Sequence, residues 1–263
     1  MTIRDITAKI EAFAPLSLQE SYDNAGLIVG RYDDQLQGGV LLAVDVTDEV
    51  IDEALELGCG MIITHHPIIF HPLKRFNSAS VVERCVERAI RHNIALYACH
   101  TNLDSTVGGL SWRVAQMLSL EDVRVMQPTN DAGAGFGVVG ELSSPKATEA
   151  FLQQVMQTLG VKVIRHSDIV KSEVRRIAIC TGAGGSLIDD ALASDADLYL
   201  TADLRYNDFM RHENRLILCD IGHFESEFCA IDILFDILSK NFCNFAARKS
   251  VHSRNPINYT VRE

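Results

Sequence analysis

The stretch Met61-Ile62-Ile63-Thr64-His65-His66-Pro67 combines an apolar run with two adjacent histidines. The apolar run predicts a buried strand over residues 61–64. Pro67 ends this strand because proline has no backbone N–H to donate to a sheet. In α/β proteins, binding and catalytic side chains gather at the carboxyl ends of strands. A single histidine at a strand end is more often structural, so a functional interpretation of His65 and His66 requires other polar side chains at the same place.

Composition narrows the class of protein. The chain has 263 residues, 47% of them hydrophobic and 22% charged, which fits one large or two moderate globular domains. A formal net charge of −11 argues against general nucleic-acid binding and against binding to anionic membranes. The seven cysteines form no CxxC pair, which favours reduced, buried thiols. Neither a signal peptide nor a membrane-spanning stretch is evident, so we expect a cytoplasmic protein.

The order of predicted elements indicates an α/β fold. Strands alternate with helices along the chain, which predicts two α/β lobes with mostly parallel sheets flanked by helices. A loop-like segment over residues 130–135 is the candidate boundary, giving lobes 1–128 and 129–263. The strand expected near 244–250 could return to the first lobe. In the second lobe we also expect a strand over 161–166 and a helix over 204–212.

Three groups of polar side chains follow predicted strands. Besides the histidine pair, they are His100 with Asp104, and His223 with Glu227 at the start of a helix. The i,i+4 spacing of His223 and Glu227 places both on one helix face, although an acidic residue there could simply complement the helix dipole. Imidazole nitrogens and carboxylate oxygens without thiolates suit zinc, iron, manganese, cobalt or nickel. Three of these four histidines, together with the two carboxylates, already exceed the needs of one catalytic zinc, and carboxylates can bridge two ions.

Four motifs together resemble one known family. Asp23-Asn24-Ala25-Gly26-Leu27-Ile28-Val29-Gly30 comes first, followed by Thr64-His65-His66-Pro67, His100-Thr101-Asn102-Leu103-Asp104, and Gly222-His223 with Glu227. In this order and spacing they resemble the Nif-three-like dinuclear-metal family, also called the GTP cyclohydrolase I type 2 homologues. The resemblance extends from near the N-terminus to about residue 230.

The resemblance implies a two-lobed α/β fold, a dinuclear metal centre between the lobes, and a ring-shaped homohexamer. Carried over residue by residue, the implied ligands of two divalent transition-metal ions are His65, His66, Asp104, His223 and Glu227. Longer members carry an inserted middle domain, for which this chain has no room. Members commonly have Thr-Gly before an acidic residue where this chain has Thr201-Ala202-Asp203, which puts the role of Asp203 in doubt.

Several further residues have two possible roles. His100 could be a ligand, could orient a ligand, or could move protons, and we favour the last two, which makes it the catalytic candidate. Asp45 follows a strand and could face the site or only begin a helix. Asp23 and Asn24 could shape the pocket wall or only form a turn. The turn at 181–186 is rich in glycine and could bind phosphate, although a plain tight turn is the stronger interpretation.

These observations favour a metal-dependent hydrolase with a metal-bound hydroxide as nucleophile. The family name suggests a nucleotide or a related small anionic, phosphorylated substrate. Lys74 and Arg75 could attract such an anion, and His71 could line the pocket mouth. The alternative is a metal-binding hexameric scaffold or interaction protein without turnover.

Overall fold

The computed structural model describes residues 1–129, 133–242 and 246–260. Within them the chain forms eleven strands, numbered in chain order: β1 (Gly26–Val29), β2 (Gly39–Ala43), β3 (Cys59–Thr64), β4 (Ala95–Ala98), β5 (Glu121–Pro128), β6 (Gly135–Ala147), β7 (Arg165–His166), β8 (Glu173–Ala183), β9 (Leu198–Ala202), β10 (Ile217–Asp220) and β11 (Ala247–Lys249).

The same residues form nine α-helices: α1 (Ile3–Phe13), α2 (Asp48–Glu56), α3 (Val81–Arg91), α4 (Thr101–Ser105), α5 (Leu110–Met117), α6 (Thr148–Leu159), α7 (Ile188–Ala193), α8 (His223–Glu227) and α9 (Cys229–Asn241). Strands and helices therefore both occur along the chain, and the predicted α/β class is confirmed.

The chain divides into two compact units. The first consists of Met1–Leu103 and Ala230–Glu263, and the second of Asp104–Cys229. This division differs from the predicted lobes 1–128 and 129–263, because β5 pairs with β6 and so belongs to the second unit. Asp104 consequently falls in the second unit. Of the predicted boundary loop, residues 130–132 lie outside the described residues.

The first unit contains a five-stranded sheet in the order β1-β4-β3-β2-β11. Neighbouring strands run parallel except for β1, which is antiparallel to β4. Every residue of β2 and β4 is buried, which explains their continuous apolar sequences. The strand near the C-terminus does return to this unit, where Ala247–Lys249 pairs with β2.

Helices α2 and α3 cover part of this sheet. Apolar residues from both helices form one buried cluster with residues of β2, β3 and β4, among them Ile51, Ala54, Cys85, Ala89, Leu41, Ile62 and Leu96. Side-chain caps fix where the two helices begin: Thr47 accepts from the Val50 N–H, and Ser80 accepts from the Glu83 N–H. The packing places the carboxyl ends of β3 and β4 next to each other, since Thr64 pairs with Ala98.

The second unit contains a six-stranded sheet in the order β5-β6-β8-β9-β10-β7. Only the pairs β8–β9 and β9–β10 are parallel; the other three described pairs are antiparallel. The expectation of a mostly parallel sheet was wrong here. The reason is that β5, β6 and β8 pair antiparallel at one side of the sheet, and only β8, β9 and β10 run parallel.

Two further expectations are corrected in the second unit. The strand expected over 161–166 is reduced to Arg165–His166, which pairs with β10 at the sheet edge. The helix expected over 204–212 is a short 3-10 turn, Asp208–His212, in which no residue is buried and which therefore has no apolar face to pack.

The six cysteines of the described residues are all buried and free, as predicted; Cys243 lies outside the described residues. Within the same part of the chain, no helix combines the length and the apolar character that crossing a bilayer requires.

Candidate metal centre

His65 and His66 follow directly after β3, in a turn held by backbone hydrogen bonds. The His66 N–H donates to the Val44 carbonyl at 3.0 Å, and the Thr64 hydroxyl donates to the His66 carbonyl at 2.8 Å. These bonds couple the end of β3 to the residue after β2. The histidine pair therefore stands on the rigid end of a parallel sheet, where side chains leave the core.

His65 is fully buried, and its ring orientation is fixed. Its Nδ1 lies 2.8 Å from the Cys99 carbonyl oxygen, which can only accept a hydrogen bond. The proton must therefore be on Nδ1, and the neutral ring keeps its lone pair on Nε2. This tautomer is the one that metal-binding histidines adopt when their second nitrogen donates to a carbonyl.

His66 and His100 each place Nδ1 on an aspartate. His66 Nδ1 lies 2.8 Å from Asp45 Oδ1, and His100 Nδ1 lies 2.7 Å from Asp23 Oδ1. Asp23 also accepts from the backbone N–H and the hydroxyl of Thr101. Burial raises the pKa of Asp23, but these hydrogen bonds outweigh burial and lower it to about 2. Asp23 is thus an ionised anchor for His100.

The three histidines of the first unit lie together. The ring centroid of His65 is 4.9 Å from that of His66 and 5.3 Å from that of His100, and the last two are 5.5 Å apart. One ring nitrogen of each lies within 4.8 Å of those of the other two. We call His65, His66 and His100 the histidine trio. Its spacing is one in which a single cation could contact more than one imidazole.

The second unit carries His223 and Glu227 on α8. His223 Nδ1 lies 2.8 Å from Asp203 Oδ2, and its Nε2 lies 3.0 Å from Glu227 Oε2. Burial lowers the pKa of His223, but the hydrogen bonds and charges of Glu227 and Asp203 outweigh it and raise that pKa to about 9. Asp203, whose role was in doubt, therefore orients His223; it does so from a left-handed conformation with φ of 55° directly after β9.

Asp104 and Glu227 bring two carboxylates together in this unit. A carboxylate oxygen of each lies within 4.8 Å of one from the other. Burial and the negative charges of Asp104 and Glu227 raise the pKa of the Cys180 thiol to about 12, so this thiol stays protonated. Two carboxylates at this spacing repel each other unless a cation or a proton compensates them.

The glycine-rich carboxyl end of β8 and the turn that follows it accommodate Glu227. Gly182 has φ of 67°, and a Cβ built on it would lie only 2.2 Å from Glu227 Oε1. The N–H of Gly182 donates to the Ser226 hydroxyl at 2.9 Å, and that of Gly184 to the Thr201 hydroxyl at 3.0 Å. Because these two donors are already used within the protein, the turn is a close-packed support for Glu227 and not a preformed phosphate cradle.

The histidine trio and His223 share one hydrogen-bonding pattern. Each places Nδ1 on an oxygen acceptor, and the four acceptors are the Cys99 carbonyl, Asp45, Asp23 and Asp203. Histidine ligands that bind a metal through Nε2 are commonly oriented by such a hydrogen bond at Nδ1. In His223 the Nε2 atom lies 3.0 Å from Glu227 Oε2, a carboxylate that can itself bind a metal. The donor set of imidazoles and carboxylates is also the one that first-row divalent ions accept. The residues present therefore fit a metal site.

The structure thus brings the predicted residues together in two sets. The histidine trio forms one in the first unit, and Asp104, His223 and Glu227 form the other in the second. Sequence reasoning did not assign the orienting roles of Asp23, Asp45 and Asp203. A signal was present for Asp45 and Asp203, because each follows a strand on the side where histidines gather.

Comparisons with known proteins agree on one family. The family model described as Duf34/NIF3 (NGG1p interacting factor 3) matches residues 1–256. A Clostridium perfringens protein named GTP cyclohydrolase 1 type 2 homolog is 36% identical over 229 residues, which cover 86% of this chain and 87% of that protein. A Campylobacter jejuni protein of the same name is 30% identical over 264 residues, which cover 98% of this chain and 100% of that protein.

Solved structures show the same fold. The crystal structure of a Bacillus cereus protein related to NIF3 superposes with a TM-score of 0.90 at 23% identity, covering 99% of both chains. Reduced HcgD from Methanocaldococcus jannaschii superposes with a TM-score of 0.79 at 28% identity, covering 95% of this chain and 97% of that one. Since the family model extends over almost the whole chain and relatives above 30% identity cover most of it, the chain belongs to the Duf34/NIF3 family.

Proposed function

We propose that this protein is a metal-dependent hydrolase of nucleotides or related phosphorylated small molecules. The two ions would be divalent transition metals held by His65, His66, Asp104, His223 and Glu227. The observation that carries the proposal is the shared Nδ1 anchoring of the histidines, the arrangement in which proteins orient histidine ligands of metals. The name GTP cyclohydrolase 1 type 2 homolog, which the bacterial relatives bear, supports the nucleotide class.

Divalent ions in such a site acidify bound water and polarise the bond to be cleaved. The chain itself supplies the orientation of the donors. Asp45 accepts a hydrogen bond from the His66 ring and Asp203 from the His223 ring, so both imidazoles are already oriented before a metal binds. Asp104 and Glu227 would contribute two negative charges, which offset half of the charge of two divalent cations.

His100 has a different role in this proposal. It lies in the histidine trio, but its Nδ1 is held by Asp23, an aspartate that stays ionised because its pKa is about 2. We assign His100 to proton transfer at Nε2, since a positioned imidazole with an ionised partner is the usual general acid or base. Asp23 acts through His100 and is a positioning residue.

A second candidate function is a metal-binding scaffold or interaction protein without turnover. The family description, NGG1p interacting factor 3, names an interaction and not a reaction, and this favours the alternative. Both candidates predict bound metal, so metal content does not separate them. Turnover does.

The test is an activity screen of the metal-loaded protein. Protein loaded with Mn²⁺, Zn²⁺ or Fe²⁺ is incubated with a panel of nucleotides and phosphoesters, and products are followed by chromatography. We expect hydrolysis of at least one panel member by the wild type. Asp104→Asn, which keeps the shape of the side chain but removes its charge, should lose the activity while the circular dichroism spectrum is unchanged.

The matched control is Asp168→Asn, since Asp168 is an exposed aspartate of the same unit. This variant should retain wild-type activity. Absence of turnover with every metal would favour the scaffold. Equal activity of Asp104→Asn and wild type would remove Asp104 from the site.

Two finer features belong to the same proposal. The family resemblance implies a toroidal homohexamer, which light scattering tests directly: a monomer mass would exclude it. A cytoplasmic location fits the buried, free cysteines of the described residues, because such thiols persist in reducing compartments.

A further inference from the structure

A chain of aromatic rings leads away from the histidine trio within the first unit. The ring centroid of Phe70 lies 6.1 Å from that of His100, and the ring centroid of Tyr22 lies 6.4 Å from that of Phe70. The interplanar angles are 85° and 61°, so the rings meet edge to face. His71 also contacts Phe70 in this manner, with centroids 5.2 Å apart.

Both outer rings are accessible. Phe70 is 41% exposed and Tyr22 is 63% exposed. Exposure of aromatic carbon to water is unfavourable, and covering it with a planar ligand recovers that free energy. Phe70 and Tyr22 differ from aromatic side chains exposed elsewhere on the protein because Phe70 contacts His100.

Hydrogen bonds hold the two rings near the trio. The Asn24 side-chain amide donates to the Ile69 carbonyl at 2.6 Å, which ties the residue before Phe70 to the segment that carries Tyr22. The Asn24 backbone N–H donates to Asp23 Oδ1 at 2.7 Å. The carboxylate that orients His100 therefore also fixes the segment under the aromatic rings, so both are positioned by one network.

We propose that Tyr22 and Phe70 form a stacking platform for the planar heteroaromatic ring of the substrate, beside the proton-transferring His100. This inference rests on the proposed function and narrows it. The substrate carries a heteroaromatic base, and a sugar phosphate or an acyclic phosphoester is a poor substrate. Stacking of a base on an exposed aromatic ring is tolerant of base identity.

The loop that carries Phe70 also offers positive charge. Lys74 and Arg75 are exposed and follow Phe70 by four and five residues. An extended chain of this length spans at most about 18 Å, so the backbone of both residues lies no farther than that from Phe70. In a protein with a net charge of −11, such a local basic pair suits an anionic ligand.

The test compares two ligands that differ only in the base. Binding of adenosine monophosphate and of ribose 5-phosphate to the Mn²⁺-loaded protein is measured by equilibrium dialysis, and the recovered ligand is checked for integrity. We expect adenosine monophosphate to bind at least about tenfold more tightly than ribose 5-phosphate, as base–aromatic stacking provides. Phe70→Ala and Tyr22→Ala should each reduce this preference severalfold, whereas Phe70→Tyr should keep it.

Phe76→Ala is the matched control, because Phe76 is an aromatic residue of the same loop, 57% exposed, and within the described residues it makes no ring contact with this platform. It should leave the preference unchanged. Circular dichroism and metal content of each variant establish that it is folded and loaded.

The platform would be overturned if the wild type bound the two ligands equally or bound neither of them. It would also be overturned if Phe70→Ala kept the wild-type preference for adenosine monophosphate. Because binding is measured without turnover, a preference for the base in a protein that hydrolyses nothing would reject the hydrolase and keep the platform.

Discussion

A side chain at position 182 would occupy the place of the Glu227 carboxylate: a Cβ on Gly182 would lie 2.2 Å from Glu227 Oε1. Glu227 is 3% exposed, so it has little room to move away. The geometry of this ligand candidate thus depends on the absence of a side chain 45 positions earlier in the chain.

Gly182→Ala should therefore reduce metal binding beyond its effect on stability. Gly160 provides the control, because its φ of 69° matches the 67° of Gly182 while no atom lies within 4 Å of its virtual Cβ. Both alanine variants should lose about 1–2 kcal/mol from the left-handed backbone conformation. Only Gly182→Ala should bind less than half of the wild-type metal, measured by elemental analysis. Equal metal content in both variants would contradict a steric role of Gly182.

Metal stoichiometry tests the ligand set directly. Protein purified without chelators should contain close to two transition-metal ions per chain, as expected for a dinuclear site. His65→Ala and Glu227→Ala should each reduce that content by at least one ion, whereas His92→Ala, which replaces an exposed histidine at the end of α3, should not. Unchanged metal content in both site variants would exclude these residues as ligands.

Asp45 should influence metal affinity without contacting the metal. Because its carboxylate accepts from His66 Nδ1 at 2.8 Å, Asp45→Ala should weaken metal binding by about 10–100-fold, the usual cost of losing such a partner. Asp45→Asn keeps an acceptor oxygen and should lose less. Competition with a chromogenic chelator measures the metal affinity of both variants. Asp52→Ala, an exposed site on α2, is the control; an affinity of Asp45→Ala equal to that of Asp52→Ala would refute the orienting role.

Asp23 should contribute stability that depends on pH. Its pKa is about 2 in the folded protein, below the ordinary 3.8 of an aspartate, so the folded state favours the ionised form. The contribution is fully present above pH 4 and disappears as the pH falls from about 4 to 2. Asp23→Asn should therefore reduce the free energy of unfolding at pH 7 by on the order of 2 kcal/mol, which also lowers the melting temperature.

The difference in melting temperature between wild type and Asp23→Asn should narrow below pH 4. Thermal denaturation of metal-free protein, followed by circular dichroism between pH 2 and pH 7, measures it. A difference that is constant over this range would show that the charge of Asp23 contributes nothing and that only its shape matters.

The centre of the first sheet could be predicted from sequence because its strands β2, β3 and β4 are almost entirely buried. Strand β3 appears as an uninterrupted apolar run, and its burial agrees. Strand β5 was missed because it is an edge strand whose residues are all exposed or half-buried, with Arg124 and Glu121 among its residues. Such a strand is defined by its pairing with β6, which no local pattern encodes.

The proposed site shows the same contrast. His65, His66 and His223 could be found because each follows a strand, which is a local signal. The role of Asp23 could not, since its partner His100 lies 77 residues away and the contact exists only after folding. The glycine turn at Gly182 was ambiguous for a related reason: whether its N–H groups face a ligand or Ser226 depends on where α8 packs.

The pairing of β11 with β2 has a consequence for how the protein is made. Strand β11 leaves the ribosome about 200 residues after β2, its partner in the sheet. At roughly 5–20 residues per second, β2 waits on the order of ten seconds with an open edge. During this time the whole second unit, Asp104–Cys229, is synthesised. The second unit therefore has all of its residues before the first does, and a nascent chain stalled before Ala247 presents a sheet edge on which aggregation can begin.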